Sequence, residues 1–198
     1  MRILSIFLIF LITAASLLLS AGDSAAREIT LYTFEKDPQG WEIPDWAYEK
    51  DDYVADSVEV SKKVSKTGKG SLEVVAKFPG GNWSGAIVEV LEYFDWTPYS
   101  TLACDVYLPK EAPAGLRAQM ILTVGDSWKW TEMSRSIRLV PGEWTTISAN
   151  LKPGSTDWKR TQPDDEFRAD VRKIAIRVSS NKPAYDGPIY IDNIVLGE

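Results

Sequence analysis

Apolar positions recur every second residue in two stretches of this chain. Leu72, Val74, Ala76 and Phe78 form one such series. Leu116, Ala118, Met120, Leu122 and Val124 form another, leaving Arg117, Gln119, Ile121 and Thr123 on the opposite side. A period of two belongs to a β-strand with one face buried. Similar patterning predicts strands over 29–34, 54–60, 71–78, 85–91, 102–108, 116–124, 136–140, 145–151, 173–179 and 189–196. Turn residues separate them, among them Pro79-Gly80-Gly81, Pro141-Gly142, Pro153-Gly154 and Asp186-Gly187-Pro188. Helical periodicity is confined to a turn or two over 164–171, which opens on acidic residues. Many short strands with Gly/Pro turns predict an all-β fold, a two-sheet antiparallel β-sandwich of jelly-roll type. Neither a repeat nor a low-complexity linker divides the chain, so one domain is expected over 27–198.

The N-terminus departs from this pattern. Met1-Arg2 is followed by an apolar run over 3–19 and by small residues as far as Ala26. A basic start, an apolar stretch and a small-residue cleavage site predict a secretory signal peptide over 1–26, with cleavage after Gly22 as the alternative and an uncleaved anchor as the competing reading. The mature chain is therefore expected to be secreted or periplasmic, with no membrane association after cleavage. The formal net charge is −6, which disfavours nucleic acid and anionic membranes as partners and is compatible with neutral ones. Cys104 is the sole cysteine and lies in an apolar strand pattern, so it reads as a small core residue.

The 198 residues include eight tryptophans and no histidine. Lacking histidine, the chain has no Ser-His or Cys-His nucleophile pair and lacks the commonest general base. Tryptophan supplies large flat apolar faces instead. Trp96 and Trp144 border predicted strands and read as packing. Trp83 sits in the polar turn Gly80-Gly81-Asn82-Trp83-Ser84-Gly85, where a large ring has no evident reason to be buried. Trp128 and Trp130 lie in Gly125-Asp126-Ser127-Trp128-Lys129-Trp130, and both rings would share one face if that stretch were extended. Trp41 and Trp46 bracket Glu42-Ile43-Pro44-Asp45, outside any predicted strand. For these five, an exposed platform and packing beneath a loop are both open. Trp158 has no assignment.

Flat rings among polar residues suit a sugar, whose C–H face stacks on indole while its hydroxyls take hydrogen bonds. Covering ~60 Å² of sugar on one ring contributes ~1.5 kcal/mol. Two or three such rings predict dissociation constants of roughly 1 μM to 1 mM. Arg117, Gln119 and Arg177, each opposite the apolar side of its strand, are candidate rim partners or else an ordinary solvated face. Catalysis would require paired carboxylates or a Tyr/Lys/Arg site. The Glu-x-Asp-x-Glu strand pattern of jelly-roll glucanases is absent from the sequence, and Asp164-Asp165-Glu166 reads as a helix start. The chain is therefore read as non-catalytic. A polysaccharide-active enzyme and a secreted protein-interaction module on the same fold remain the alternatives.

The C-terminal Tyr185-Asp186-Gly187-Pro188-Ile189-Tyr190-Ile191-Asp192-Asn193-Ile194 resembles the closing strand of β-jelly-roll carbohydrate-binding modules, and Val171–Val178 the strand before it. With Gly70–Val74 and Leu102–Pro109 the similarity spans about 29–196. The nearest match is the mannan-binding family found on secreted mannanases, of the galactose-binding-domain-like superfamily. The resemblance implies binding of a polysaccharide of β-mannan or β-glucan type. It implies stacking on Trp83, Trp128 and, more loosely, Trp46; Trp130 rests on spacing alone. A structural Ca²⁺ is implied at Glu35 and Asp192, with a backbone carbonyl from 68–70, and oxygen-only ligands suit that hard cation. Modules of this kind usually sit beside a catalytic domain, so the resemblance implies either a secreted sugar binder that acts alone or one partnered by a secreted glycoside hydrolase on another chain. Asn82-Trp83-Ser84 is formally a glycosylation sequon.

Overall fold

A computed structural model describes residues 27–198, so the expected signal segment over 1–26 lies outside the described residues. The strands are numbered in chain order. One antiparallel sheet runs β2 (Ala55–Ser61), β3 (Ser71–Phe78), β11 (Tyr185–Gly197), β5 (Thr101–Tyr107), β9 (Trp144–Asn150). In this sheet β3 pairs with β11 as far as Ile191, and β1 (Glu28–Tyr32) pairs with the rest of β11 beyond it. The second sheet runs β4 (Ser84–Phe94), β10 (Val171–Ser180), β6 (Arg117–Val124), β7 (Lys129–Glu132), with the two-residue β8 (Ile137–Arg138) also on β6.

The alternating positions supply the core between the sheets. Leu72, Val74 and Ala76 of β3 and Ala118, Met120 and Leu122 of β6 point into one core between the sheets, and all are buried. Cys104 is among them, and burial pushes its thiol well above the ordinary range. The fold is the expected antiparallel sandwich. Three elements differ from the sequence expectation. The predicted strand over 136–140 shrinks to β8, and β7 forms in a polar stretch where none was expected. A four-residue helix, α1 (Asp45–Tyr48), also appears. The expected acidic helix is α2 (Asp165–Ala169), where the Asp164 side chain accepts from the Phe167 N–H at 2.7 Å and caps the first turn.

The segment containing α1 decides what happens on the second sheet. Glu42 exchanges both backbone bonds with Glu89, at 2.9 and 2.8 Å, and Tyr53 bridges Gly85. The chain between them is thus strapped at both ends to the free edge of β4.

Candidate functional site

The outer face of the five-stranded sheet is ordered in cross-strand rows. Leu91, Lys173, Thr123 and Trp130 lie in one, Glu89, Ala175, Ile121 and Glu132 in the next, then Ile87, Arg177 and Gln119. The last row is Gly85, Ser179, Arg117 and Arg138. Ile87, Ile121, Ala175 and Thr123 point away from the core yet are buried. Side chains from elsewhere therefore cover them.

Those covering side chains are aromatic. Trp46, on the strap, meets Trp130 of β7 edge-on with ring centroids 6.1 Å apart. β10 and β6 lie between the strap edge and β7, so the two rings meet above those central strands. Tyr53 packs edge-on against Trp46 at 4.8 Å and against Trp83 at 5.8 Å. The result is one run, Trp83–Tyr53–Trp46–Trp130, laid across the sheet. Trp83 remains 39% exposed. Its ring approaches Gly85 so closely that a Cβ there would lie 3.3 Å from it, so a residue without a side chain suits that position.

Charged groups line the run. The Arg177 guanidinium lies 5.6 Å from the Trp83 ring centre and the Lys50 ammonium 5.2 Å from that of Trp46. Arg177 and Gln119 both donate to Glu132 Oε2, at 2.6 and 2.7 Å, and Lys159 donates to Oε1 at 3.3 Å. Burial pushes the Glu132 carboxyl up, but Arg177 and Lys159 more than offset this and hold it below its ordinary value. Lys173 pairs with Glu89 in the neighbouring row. Arg117 donates to Ser136 Oγ at 2.8 Å and to its carbonyl.

Trp128 stands apart from the run. It takes a left-handed backbone (φ 51°) at the end of the Gly125 turn, so β7 begins only at Lys129. The expectation that Trp128 and Trp130 share one face of an extended stretch fails for that reason. The Trp128 ring, 43% exposed, lies over Arg172 at 5.3 Å, while Tyr93 lies 5.4 Å from the same guanidinium. Asp170 and Asp126 hold Arg172 in place. Of the other tryptophans, Trp41, Trp96 and Trp158 are buried. Trp41 stands edge-on to Tyr32 and Phe34, and the Trp158 N–H donates to the Asn150 carbonyl at 2.9 Å.

Sequence reasoning brought out Trp46, Trp83, Trp130, Gln119 and Arg177, which the fold gathers on one face. It missed Tyr53, which joins the rings, and Glu132, which joins the polar groups. The first was hidden in Asp51-Asp52-Tyr53, with nothing to mark it as part of a strap. The second belongs to the strand that was not predicted.

The implied metal ligands lie at the six-stranded sheet. Asp192, in β11, is fully buried, and its carboxylate accepts from the backbone N–H groups of Lys66, Thr67 and Asn193 at 2.7–2.9 Å. Glu35 accepts from Lys69 N–H at 3.0 Å. Both acids therefore grip the 66–70 loop. Burial raises the Asp192 carboxyl, its hydrogen bonds lower it, and the charge that adds to the rise is Glu35. A buried carboxylate beside a second one fits a bound cation, and the donors are all oxygen. Among the described residues no cluster of three or more His, Cys, Asp or Glu gathers, so backbone carbonyls would have to complete the shell.

A model of the family described as carbohydrate binding module 27 matches residues 25–197. The chain belongs to that family. As a module of family 27 it shares its sandwich with solved structures. One is the Caldicellulosiruptor saccharolyticus CBM27-1 in complex with mannohexaose, at TM-score 0.59 and 19% identity, covering 86% of this chain and 96% of the other. A second is TmCBM27, described for specific mannan recognition, at TM-score 0.53 and 19% identity, covering 87% and 99%. A third is a family 28 module specific for non-crystalline cellulose, at TM-score 0.58 and 15% identity, covering 80% and 88%. No curated protein matches the sequence of this module.

Proposed function

We propose that this module binds a β-mannan or β-glucan chain along the outer face of its five-stranded sheet and does not cleave it. One observation carries the reading: four aromatic rings brought together from a strap, a turn and a strand lie over the sheet, lined by Arg177, Gln119 and Glu132. The rings offer C–H stacking to successive pyranoses, and the paired charges exchange hydrogen bonds with their hydroxyls. Trp128 and Arg117 serve as further contacts towards the ends of the face. The solved relatives named for mannohexaose and for mannan recognition make mannan the first ligand to try, and the cellulose-specific relative keeps glucan in view.

In the same proposal Glu35 and Asp192 hold a Ca²⁺ that braces the sandwich away from the sugar. The module works outside the cytoplasm once residues 1–26 are removed, alongside a glycoside hydrolase.

The test is a titration of tryptophan fluorescence in the mature module with mannohexaose, cellohexaose and xylohexaose in the presence of calcium. A saturable change with a hexaose of mannose or glucose is expected, shifted to roughly tenfold higher sugar concentration in Trp83→Ala. A protein that is folded by circular dichroism yet silent to all three sugars would overturn the proposal.

A further inference from the structure

Beyond Trp83 the face ends in a cleft of different character. Arg117, Arg138 and Lys182 border a cavity of about 450 Å³, together with Asn181, Pro183 and Gly115. Arg117 and Arg138 sit directly opposite each other in the β6–β8 register. Like charges in that position repel, which a sheet ordinarily avoids. Among the described residues no carboxylate forms an ion pair with any of these three cations, and none lines the cavity. This is notable in a chain of net charge −6. Arg117 is also fixed, since its donation to the Ser136 hydroxyl and carbonyl holds the guanidinium in one position.

The cleft is physically joined to the sugar face. Gly85, beneath the Trp83 ring, belongs to the same cross-strand row as Arg117, two strand spacings away, about 10 Å. The turn leading to Trp83 is tied to the loop carrying Lys182, because Gly81 N–H donates to the Lys182 carbonyl at 2.9 Å. A polysaccharide stacked on Trp83 thus places the substituents of its next sugars within reach of three cations.

We propose that this cleft binds an anionic substituent of the polysaccharide, a carboxylate or a sulfate ester, so that the preferred ligand is an acidic or acid-decorated chain. The inference rests on the sugar-binding reading above and deepens it. A fixed arginine with an exposed arginine opposite it suits an oxyanion better than a neutral hydroxyl.

Salt gives a signed test. The overall negative charge repels an anionic chain, so screening would tighten binding if the whole-protein field dominated. Local attraction in the cleft predicts that screening weakens it. The experiment compares glucomannan, glucomannan with its primary alcohols oxidised to carboxylates, and sulfated glucomannan by calorimetry at low and high sodium chloride. One of the two anionic polymers is expected to bind about fivefold tighter than the neutral one at low salt, and to lose that advantage at high salt. Arg138→Gln and Lys182→Gln should each reduce the advantage and leave neutral glucomannan binding unchanged, while Arg138→Lys retains most of it. Neutral glucomannan binding with no gain from either anionic polymer would overturn the cleft alone. No binding of any of the three would overturn the sugar face, and the cleft with it.

Discussion

Both outer faces of this sandwich carry aromatic rows, and the contrast between them separates packing from display. On the six-stranded sheet the row is built from the strands themselves, with Glu73, Tyr190, Tyr107 and Trp144 opposite one another in register across β3, β11, β5 and β9. The rings tilt together at 5.4–6.1 Å, and Tyr190 is buried. Burial and then the neighbouring Glu73 push the Tyr190 phenol up to about 12. On the five-stranded sheet only Trp130 of the run comes from a paired strand. Trp46 and Tyr53 arrive on the strap and Trp83 on a turn, and they lie above strands instead of within the row. Rings in the weave of a sheet satisfy one another. Rings imported from its edge leave a face for something else.

The contrast can be broken, most strongly at Trp46. Because this ring abuts both Tyr53 and Trp130, Trp46→Ala should weaken hexaose binding by about 2 kcal/mol, roughly 30-fold, in calorimetry. Trp83→Ala, which removes one half-exposed ring, should cost about 1.5 kcal/mol of binding and leave the melting temperature nearly unchanged. Trp144→Ala on the opposite face should reverse this pattern. It should lower stability by about 1 kcal/mol in a denaturant titration, with binding within twofold of wild type. If Trp144→Ala weakened binding as much as Trp83→Ala, the distinction between the two faces would fail.

Two smaller effects sharpen the comparison. Calcium should raise the melting temperature of the wild-type module, and Asp192→Asn should remove that rise without altering the sugar specificity at the distant face. At Glu132 the folded carboxyl titrates below its unfolded value. Its contribution to stability is therefore complete above the unfolded carboxylate pKa and lost as pH falls through the folded one. Glu132→Gln should flatten the acid limb of the stability profile slightly, and it should lower affinity at neutral pH because Arg177, Gln119 and Lys159 lose the anionic acceptor that they share.

Legibility in the sequence follows the same division. Where a residue's surroundings come from its own strand, alternation revealed it: β3, β6 and β10 lie close to their predicted places, and Arg117, Gln119 and Arg177 do face outward. Where the surroundings come from another part of the chain, local pattern was silent. Trp41 sits in a polar neighbourhood yet is sealed by Tyr32 and Phe34. Trp128 and Trp130 share a spacing that predicts one face, but the left-handed backbone at Trp128 cancels it. Tyr53 matters only because both ends of the strap bond to β4, a long-range fact that no window of sequence contains.

That strap has a second consequence. The exposed side of β4 would otherwise present a long run of main-chain donors and acceptors flanked by Ala86-Ile87-Val88, a template on which another extended chain could assemble. Glu42 and Tyr53 occupy part of it, and α1 lies between them. The piece of chain that displays Trp46 also blunts the edge from which polymerisation would start. Shortening it would therefore uncover that edge and favour self-association.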